Sequence, residues 1–386
     1  MTKIISTLSK MWLKVINLEN SLFPQLTEQL GVLSPKEQKL IKILDFAEIE
    51  KYVCTTSKTN PPKDREQIAR AFVAKSVYNF QTTRDLIDRL HVDKTLRILC
   101  GWRYKNSIPS ESKFSRAFKE LSDLNIAQKA HERFVKEYLS EMTFFYNATD
   151  ATKIPLREKA VKKKKTEKIK YRAGRPKKGE TREPIKPKIL EQQRDMQTVD
   201  EMLSLVSTDC GVGIKQSSKG NREVWIGGSL HISAVDGDIP ITAFYSGANV
   251  HDSSVALPLI QETSKRVNYM YDLQDAGYDA DIIREFSIKY NHKPIIDINP
   301  KNSQTLRDKI ELRKHEETIF KSLHNRHLDL DREHYNQRSM VERVNAYLKD
   351  SFGCNKIYYQ GGDKVASVLA FAILSICIHQ SLKLLT

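Results

Sequence analysis

The stretch VWIGGSLHISAVDGDIPITAFY, residues 224–245, predicts two antiparallel strands joined by a tight turn. Residues 224–235 and 239–245 are rich in β-branched and aromatic side chains, which pack well on a pleated sheet. Asp236-Gly237 lies between them and is typical of a hairpin turn, because glycine adopts the left-handed backbone that such turns require. We therefore expect a long hairpin within a sheet.

Further strand-like and helix-like segments flank this hairpin. Residues 142–148 predict a strand that ends just before Asp150, and residues 202–214 predict a second strand. Helix and strand patterns then alternate up to the C-terminus, and one of the strands ends just before Asp275. These segments are helices at 254–265 and 281–290, strands at 269–273 and 294–298, a helix around Glu342 and an apolar helix at 365–378. This order predicts an α/β fold, an RNase H-like mixed sheet flanked by helices.

The first 140 residues predict an all-α region. Ser34-Pro35-Lys36-Glu37 has the N-cap serine, the first-turn proline and the glutamate of a capping box, which marks a helix start. We expect a helical domain at 1–140 that binds DNA ends or pairs subunits. We expect a catalytic domain at 141–386, with a basic insertion at about 153–195.

The charge of the chain is concentrated in that insertion. The 386 residues carry a formal net charge of +15. Residues 153–188 hold sixteen Lys or Arg against four Glu, a net charge of +12. Such a balance predicts a polyanionic partner, most often nucleic acid. It also predicts binding that weakens steeply with salt.

The sequence favours a cytoplasmic protein. Its five cysteines are scattered without zinc-finger or redox spacing, which is typical of reduced thiols. Lys10 and Lys14 interrupt the apolar residues near the N-terminus, so we expect no signal peptide. The apolar run at 365–378 is shorter than the roughly 20 residues that a membrane span needs, and it predicts a buried core helix.

Tyr335, Arg338, Glu342 and Lys349 have a spacing that places all four on one face of a helix, within about 60° of rotation. A carboxylate beside two cations and a phenol suits a site that holds a metal ion and a phosphodiester together. The alternative is an ordinary solvated, charged helix face.

This Tyr-x2-Arg-x3-Glu-x6-Lys spacing resembles the YREK signature of DDE transposases from bacterial insertion sequences. The segments around Asp150 and Asp275 resemble the first and second Asp motifs of that family, and the similarity extends over most of the chain. The resemblance implies a bacterial, nucleoid-associated enzyme that binds terminal inverted repeats, cleaves double-stranded DNA at the element ends and joins the 3′-hydroxyl to target DNA. It also implies a homodimer in a synaptic complex, with Tyr335, Arg338 and Lys349 contacting the transposon end.

Phosphodiester cleavage of this kind is served by two divalent ions, which activate the nucleophile and stabilise the leaving oxygen. Mg²⁺ takes few protein ligands and prefers carboxylate oxygens, so Asp150, Asp275 and Glu342 suffice as catalytic and metal-binding residues, and we expect Mn²⁺ to substitute. Asp272 and Asp279 compete with Asp275 for the second position, and Glu333 competes with Glu342. A lone Asp at a strand end is otherwise usually a turn or helix cap.

Two further basic groups are candidates for DNA contact. Gly174-Arg175-Pro176, with Arg172, Lys177 and Lys178, resembles an AT-hook that lies in a narrow minor groove. The alternative is a nonspecific phosphate-binding tail. The helix predicted at 110–121 carries Lys113 and Arg116, and it is either a recognition helix or a structural helix with a basic outer face.

Two questions stay open at this level. His251-Asp252 lacks a nucleophile motif, so we expect the pair to cap the following helix and support the site. The same carboxylates would also serve an RNase H-like nuclease without strand transfer, and a non-catalytic DNA-binding regulator derived from a transposase is a further alternative.

Overall fold

The structure is a computed structural model that describes residues 2–53, 63–162, 187–216, 221–300, 303–324 and 329–385. Helices make up the described chain as far as Tyr138. Ser34 caps one of them as predicted: its Oγ accepts from the Glu37 amide at 3.3 Å, and its own amide donates to the Glu37 carboxylate at 2.6 Å. The helices are α1 (Thr2–Asn17), α2 (Phe23–Leu30), α3 (Pro35–Ala47), α4 (Arg65–Val77), α5 (Thr83–Val92), α6 (Lys94–Cys100), α7 (Glu111–Asp123) and α8 (Ile126–Tyr138).

The rest of the described chain alternates between strands and helices. It forms the predicted α/β arrangement, a mixed sheet with helices packed against it. The elements are β1 (Thr143–Pro155), α9 (Ile189–Arg194), α10 (Val199–Ser204), β2 (Gly211–Gln216), β3 (Arg222–Val235), β4 (Ile239–Gly247), α11 (Ala256–Arg266), β5 (Asn268–Gln274), α12 (Asp281–Lys289), β6 (Lys293–Ile296), α13 (Gln304–His324), α14 (Leu330–Asn336), α15 (Ser339–Ala346) and α16 (Gly362–Leu382).

Among the described residues the sheet has six strands in the order β2-β3-β1-β5-β6, with β4 also paired to β3. β3 is long enough to pair antiparallel with three strands: β1, β2 and β4. β1, β5 and β6 run parallel to one another. Because β1 pairs antiparallel on one side and parallel on the other, it is the strand around which the site is built.

The C-terminal helix α16 lies at the centre of the molecule. It packs against β4 on the sheet and against α3, α4, α7 and α8 of the N-terminal helices. By length and composition it is the one candidate for a membrane span among the described residues, but 78% of its most apolar window is buried inside the fold. The prediction of a buried core helix at 365–378 is therefore confirmed.

Three sequence predictions about local structure are wrong. The strand expected at 142–148 continues to Pro155, because β3 pairs with it along that whole length, so Asp150 lies within β1. The strand expected at 202–214 begins only at Gly211, because a capping box between Thr198 and Glu201 starts α10 instead. The helix expected to carry all four residues from Tyr335 to Lys349 is interrupted, as described below.

Candidate active site

Asp150 and Asp275 lie on neighbouring parallel strands. Thr149 of β1 pairs with Gln274, the last residue of β5. Asp150 and Asp275 are the next residue on each strand. Parallel strands that end their pairing at the same point bring the following side chains to one edge of the sheet. The two carboxylates are close enough that the charge of Asp275 raises the pKa of Asp150.

Asp150 is a largely buried carboxylate with few protein partners. Asn345 of α15 donates to its Oδ2 at 3.1 Å, and Arg338 Nη1 lies 4.0 Å from Oδ1. Burial raises the pKa of Asp150 to about 6, the guanidinium of Arg338 opposes this, and the carboxylate of Asp275 adds to it. The negative charge at this position is thus poorly neutralised by the protein, which favours binding of a cation.

Asp275 caps a short turn and keeps one carboxylate oxygen available. Its Oδ1 accepts from the Gly277 amide at 2.8 Å, which holds the side chain at the end of β5. Tyr278 follows in the same turn and is fully buried beside Asp150, Asp252 and Asp275, whose charges together with burial raise the pKa of its phenol well above the usual value. The turn therefore gathers acidic groups around one buried ring.

Glu342 lies in the first turn of α15, and its carboxylate accepts from Arg338 Nη2 at 2.5 Å. The Glu342 side chain is 55% exposed, whereas that of Asp150 is 17% exposed. In the described part of the chain, no group of three or more His, Cys, Asp or Glu side chains is arranged to hold a metal ion. The structure thus brings Asp150 and Asp275 together, and it shows Glu342 engaged with Arg338.

The competing carboxylates have other partners. Asp272 is fully buried within β5 and accepts from Asn147, Gln274 and Ser287. Asp279 accepts from Arg284 and from the Asn299 amide. Both are held in place by hydrogen bonds inside the fold. This placement favours Asp275 as the acidic residue at the sheet edge.

The residues that flank Glu342 do not share one regular helix, contrary to the prediction. Tyr335 lies in α14, Arg338 immediately precedes α15, and Lys349 lies in a π-helical turn, Tyr347–Ser351, that follows α15. The helix changes direction between α14 and α15, a feature that spacing alone does not reveal. The four side chains are nevertheless near the carboxylates: the Arg338 guanidinium lies 5.8 Å from the Tyr335 ring centroid, and Asp275 contributes to raising the pKa of Tyr335, after burial and Asp297.

A cavity of about 350 Å³ opens beside Asp150. Three lysines line it together with two acidic residues besides Asp150. Burial and the nearby Lys153 lower the pKa of Lys349, as expected where cations are crowded into one site. The lining residues are Asp150, Ala151, Thr152, Lys153, Lys215, Glu223, Trp225, Ser229, Asp252 and Lys349.

His251 and Asp252 follow β4 in the loop that faces this cavity. The amide of Ser253 donates to His251 Nδ1 at 3.3 Å, so His251 caps the next short turn, as predicted. Asp252 lines the cavity, and burial together with the charge of Asp275 raises its pKa. The fully buried His231 has its Nδ1 at 4.0 Å from Asp252 Oδ1, while its Nε2 is 2.8 Å from Ser246 Oγ.

The other predicted DNA-binding residues lie elsewhere. Lys113 and Arg116 are exposed on α7, whose other face is buried. Arg172, Arg175, Lys177 and Lys178 lie outside the described residues.

Sequence reasoning missed several residues of the site. Asn345, Lys153, Lys215 and Trp225 surround Asp150, but none belongs to a recognisable motif. The alternation of side chains in the two strands before and after the basic insertion was the one available signal, because Lys153 and Lys215 each lie on a strand that reaches the sheet edge.

Comparison with known protein families agrees with this geometry. Residues 147–378, more than half of the chain, match the family described as "Transposase DDE domain". The chain belongs to the DDE transposase family. Residues 30–120 match a second family, "Transposase domain (DUF772)", and both matches support a transposase of an insertion sequence. No curated protein matches the chain.

Membership establishes a transposase that acts on DNA, of a family that generally uses divalent metal ions. The residues present fit such an ion. Asp150 and Asp275 supply the hard oxygen ligands that Mg²⁺ prefers, and the raised pKa of Asp150 reports a site that lacks positive charge. Glu342 can join them once its carboxylate releases Arg338.

Proposed function

We propose that this transposase binds the terminal inverted repeats of its element, hydrolyses one strand at each end and joins the exposed 3′-hydroxyl to target DNA. We assign Asp150, Asp275 and Glu342 as the metal-binding catalytic carboxylates. The observation that carries this assignment is the position of Asp150 and Asp275 at one sheet edge, beside a cation-lined cavity.

The bound Mg²⁺ or Mn²⁺ ions would activate the attacking oxygen and stabilise the charge that develops on the phosphate. The protein's own residues hold the DNA in place. Lys349, Lys153 and Lys215 line the cavity and would neutralise backbone phosphates on either side of the break. Arg338 is suited to a bidentate contact with a phosphate, and its departure from Glu342 would free that carboxylate for a cation.

Tyr335 and the N-terminal helices have supporting roles in this proposal. Tyr335 is half-buried between Arg332 and Arg338, whose guanidinium groups lie 5.0 and 5.8 Å from its ring centroid. A phenol between two arginines is placed to hydrogen-bond a phosphate that both cations attract. We assign residues 1–140 to end binding or subunit pairing and 141–386 to catalysis, and we expect two copies to act together because two ends must be joined.

The deciding experiment compares Glu342→Gln with Glu333→Gln. Each change removes one negative charge with little change in side-chain size, and Glu333 is the nearby carboxylate of α14 that lacks the signature spacing. We expect Glu342→Gln to abolish cleavage of a duplex that carries the element end while it retains most end binding, and Glu333→Gln to cleave normally. Normal cleavage by Glu342→Gln would disprove the assignment of Glu342.

A second assay separates strand transfer from simple hydrolysis. Pre-cut ends with a free 3′-hydroxyl are mixed with supercoiled plasmid and the divalent ion. We expect joined products from the wild-type protein and none from Asp150→Asn. Cleavage of uncut ends without any joining of pre-cut ends would identify a nuclease.

A further inference from the structure

Trp225 is an aromatic side chain in a cavity otherwise lined by polar and charged groups. It lies on β3, directly opposite Gly213 of β2. Its ring covers that glycine: a Cβ built on Gly213 would lie 2.3 Å from the ring carbon Cζ2. The indole therefore lies flat across the hairpin, with one face against the backbone and the other toward the cavity.

The orientation of the ring is fixed at its polar end as well. Indole Nε1 donates to the carbonyl of Gly228 at 3.1 Å, three residues along the same strand. The hairpin's opposite face carries only exposed aliphatic side chains at the alternating positions, Val212, Ile214, Val224 and Ile226. The tryptophan thus stands on the one side of the hairpin that faces Asp150.

The neighbours of Trp225 are those that a DNA strand requires. Lys153, Lys215 and Lys349 line the same cavity as Asp150, and cations of this kind track a phosphate backbone. An aromatic face beside such a cationic groove is how proteins hold single-stranded nucleic acid, because every base presents a flat surface that can stack. A cavity of about 350 Å³ also lies within the usual range for a bound small molecule.

We propose that Trp225 stacks against an unpaired base of the DNA strand that is cut, next to the phosphate held at Asp150. The inference rests on the proposed function, because the base belongs to the same strand. Gly213 is part of the site, since only a residue without a side chain lets the indole lie flat. Trp225 is then a positioning residue that holds the strand so that the reacting phosphate lies at the carboxylates.

The test uses the full chain and an element-end duplex with 2-aminopurine placed in turn at each position beside the cut. This base analogue becomes fluorescent when it leaves the helix and is quenched when it stacks on indole. The variants are Trp225→Ala, Trp225→Phe and Gly213→Val, with Ile214→Ala on the opposite face of the hairpin as the matched control. A second duplex carries 5-iodouracil, which forms a photo-crosslink to a stacked aromatic residue that peptide mapping locates.

We expect Trp225→Ala to slow cleavage by about five- to 150-fold, the effect of losing one base-stacking contact. Gly213→Val should act in the same direction, Trp225→Phe should retain most activity, and Ile214→Ala should match the wild type. The crosslink, measured on the wild-type chain, should map to Trp225 and does not depend on any variant folding.

Two results would overturn the inference: normal cleavage and normal fluorescence in Trp225→Ala, or a crosslink that maps away from Trp225. Both are distinct from failure of the proposed function. In that case the wild-type protein itself would neither bind nor cut the element end, whichever residue occupies position 225.

Discussion

Asp150 and Asp275 are adjacent across two parallel strands, each one residue beyond the pair formed by Thr149 and Gln274. The pairing ends there because the chain turns at Asp275, whose carboxylate caps the turn. β1 continues, supported only by its antiparallel partner β3. This half-supported strand exposes one side of Asp150 to a cavity while the fold buries the other side.

The adjacent carboxylates should make the protein's stability depend on divalent ions. Mg²⁺ or Ca²⁺ would relieve the repulsion between Asp150 and Asp275, and an ion at 100 times its dissociation constant stabilises the bound state by about 2.7 kcal/mol. We expect thermal unfolding to shift upward with added ion in the wild type and much less in Asp275→Asn. The exposed Asp200 of α10 offers the control, since Asp200→Asn should respond like the wild type. Equal shifts in all three proteins would show that the ion binds elsewhere.

Arg338 should affect catalysis through both Asp150 and Glu342, because its guanidinium lies within 4.0 Å of each carboxylate. We expect Arg338→Ala to slow cleavage by about two orders of magnitude, the effect of losing one preorganised donor at a reacting phosphate. Arg338→Lys should restore only part of the rate, because lysine keeps the charge but not the fork. Single-turnover rates with saturating DNA measure the effect. A full restoration by lysine would show that charge alone matters.

The basic insertion should dominate the salt dependence of DNA binding. Residues 162–178 contain Arg172, Arg175, Lys177 and Lys178, and each phosphate contact contributes a slope of about −0.9 to the plot of log affinity against log salt. We expect deletion of 162–178 to flatten that slope by several contacts while cleavage of bound ends persists. Fluorescence anisotropy over a range of salt concentrations gives the slope. An unchanged slope would remove the insertion from the DNA-binding surface.

His131 should make the protein less stable in acid. The side chain is fully buried on α8, with Nε2 at 3.0 Å from the Pro240 carbonyl, and burial together with Arg266 lowers its pKa to about 3. The unfolded chain binds a proton near pH 6.5 and the folded chain does not. Stability therefore falls as the pH drops below about 6.5, by up to roughly 1.4 kcal/mol per pH unit for this group, and is unaffected at higher pH.

His131→Gln keeps an N–H donor for the Pro240 carbonyl and removes the titrating group. We expect the difference in unfolding free energy between pH 6.5 and pH 5 to be smaller in His131→Gln than in the wild type. Urea unfolding at each pH measures it. His91, an exposed histidine at the end of α5, is the control position, and His91→Gln should leave the pH dependence unchanged.

Asp252 should support cleavage without contributing to DNA affinity. It shares the cavity with Asp150, and the buried His231 approaches it to 4.0 Å. We expect Asp252→Asn to reduce the cleavage rate by about tenfold or more, in the range reported for changes to residues that orient a metal's ligands, and to leave end binding intact. Loss of binding together with cleavage would instead indicate a role in holding the loop after β4.

Local patterns in the chain were sufficient for much of the fold. The hairpin around Gly237, the capping box at Ser34 and the apolar helix within α16 were each predicted from residues that lie close together in the sequence. The polar helix α13 was not predicted, because none of its side chains is buried and it has no apolar face to reveal its period.

The amino-acid sequence by itself determined the family, the order of strands and helices, and the candidates Asp150, Asp275 and Glu342, because these depend on spacing and side-chain chemistry along the chain. Only the tertiary structure decided which groups meet. The register of β1 against β5 placed Asp150 beside Asp275, the break before α15 turned Glu342 toward Arg338, and the β2–β3 pairing laid Trp225 over Gly213. Each of these contacts joins residues brought together by strand register or by a change in helix direction, which sequence spacing does not specify.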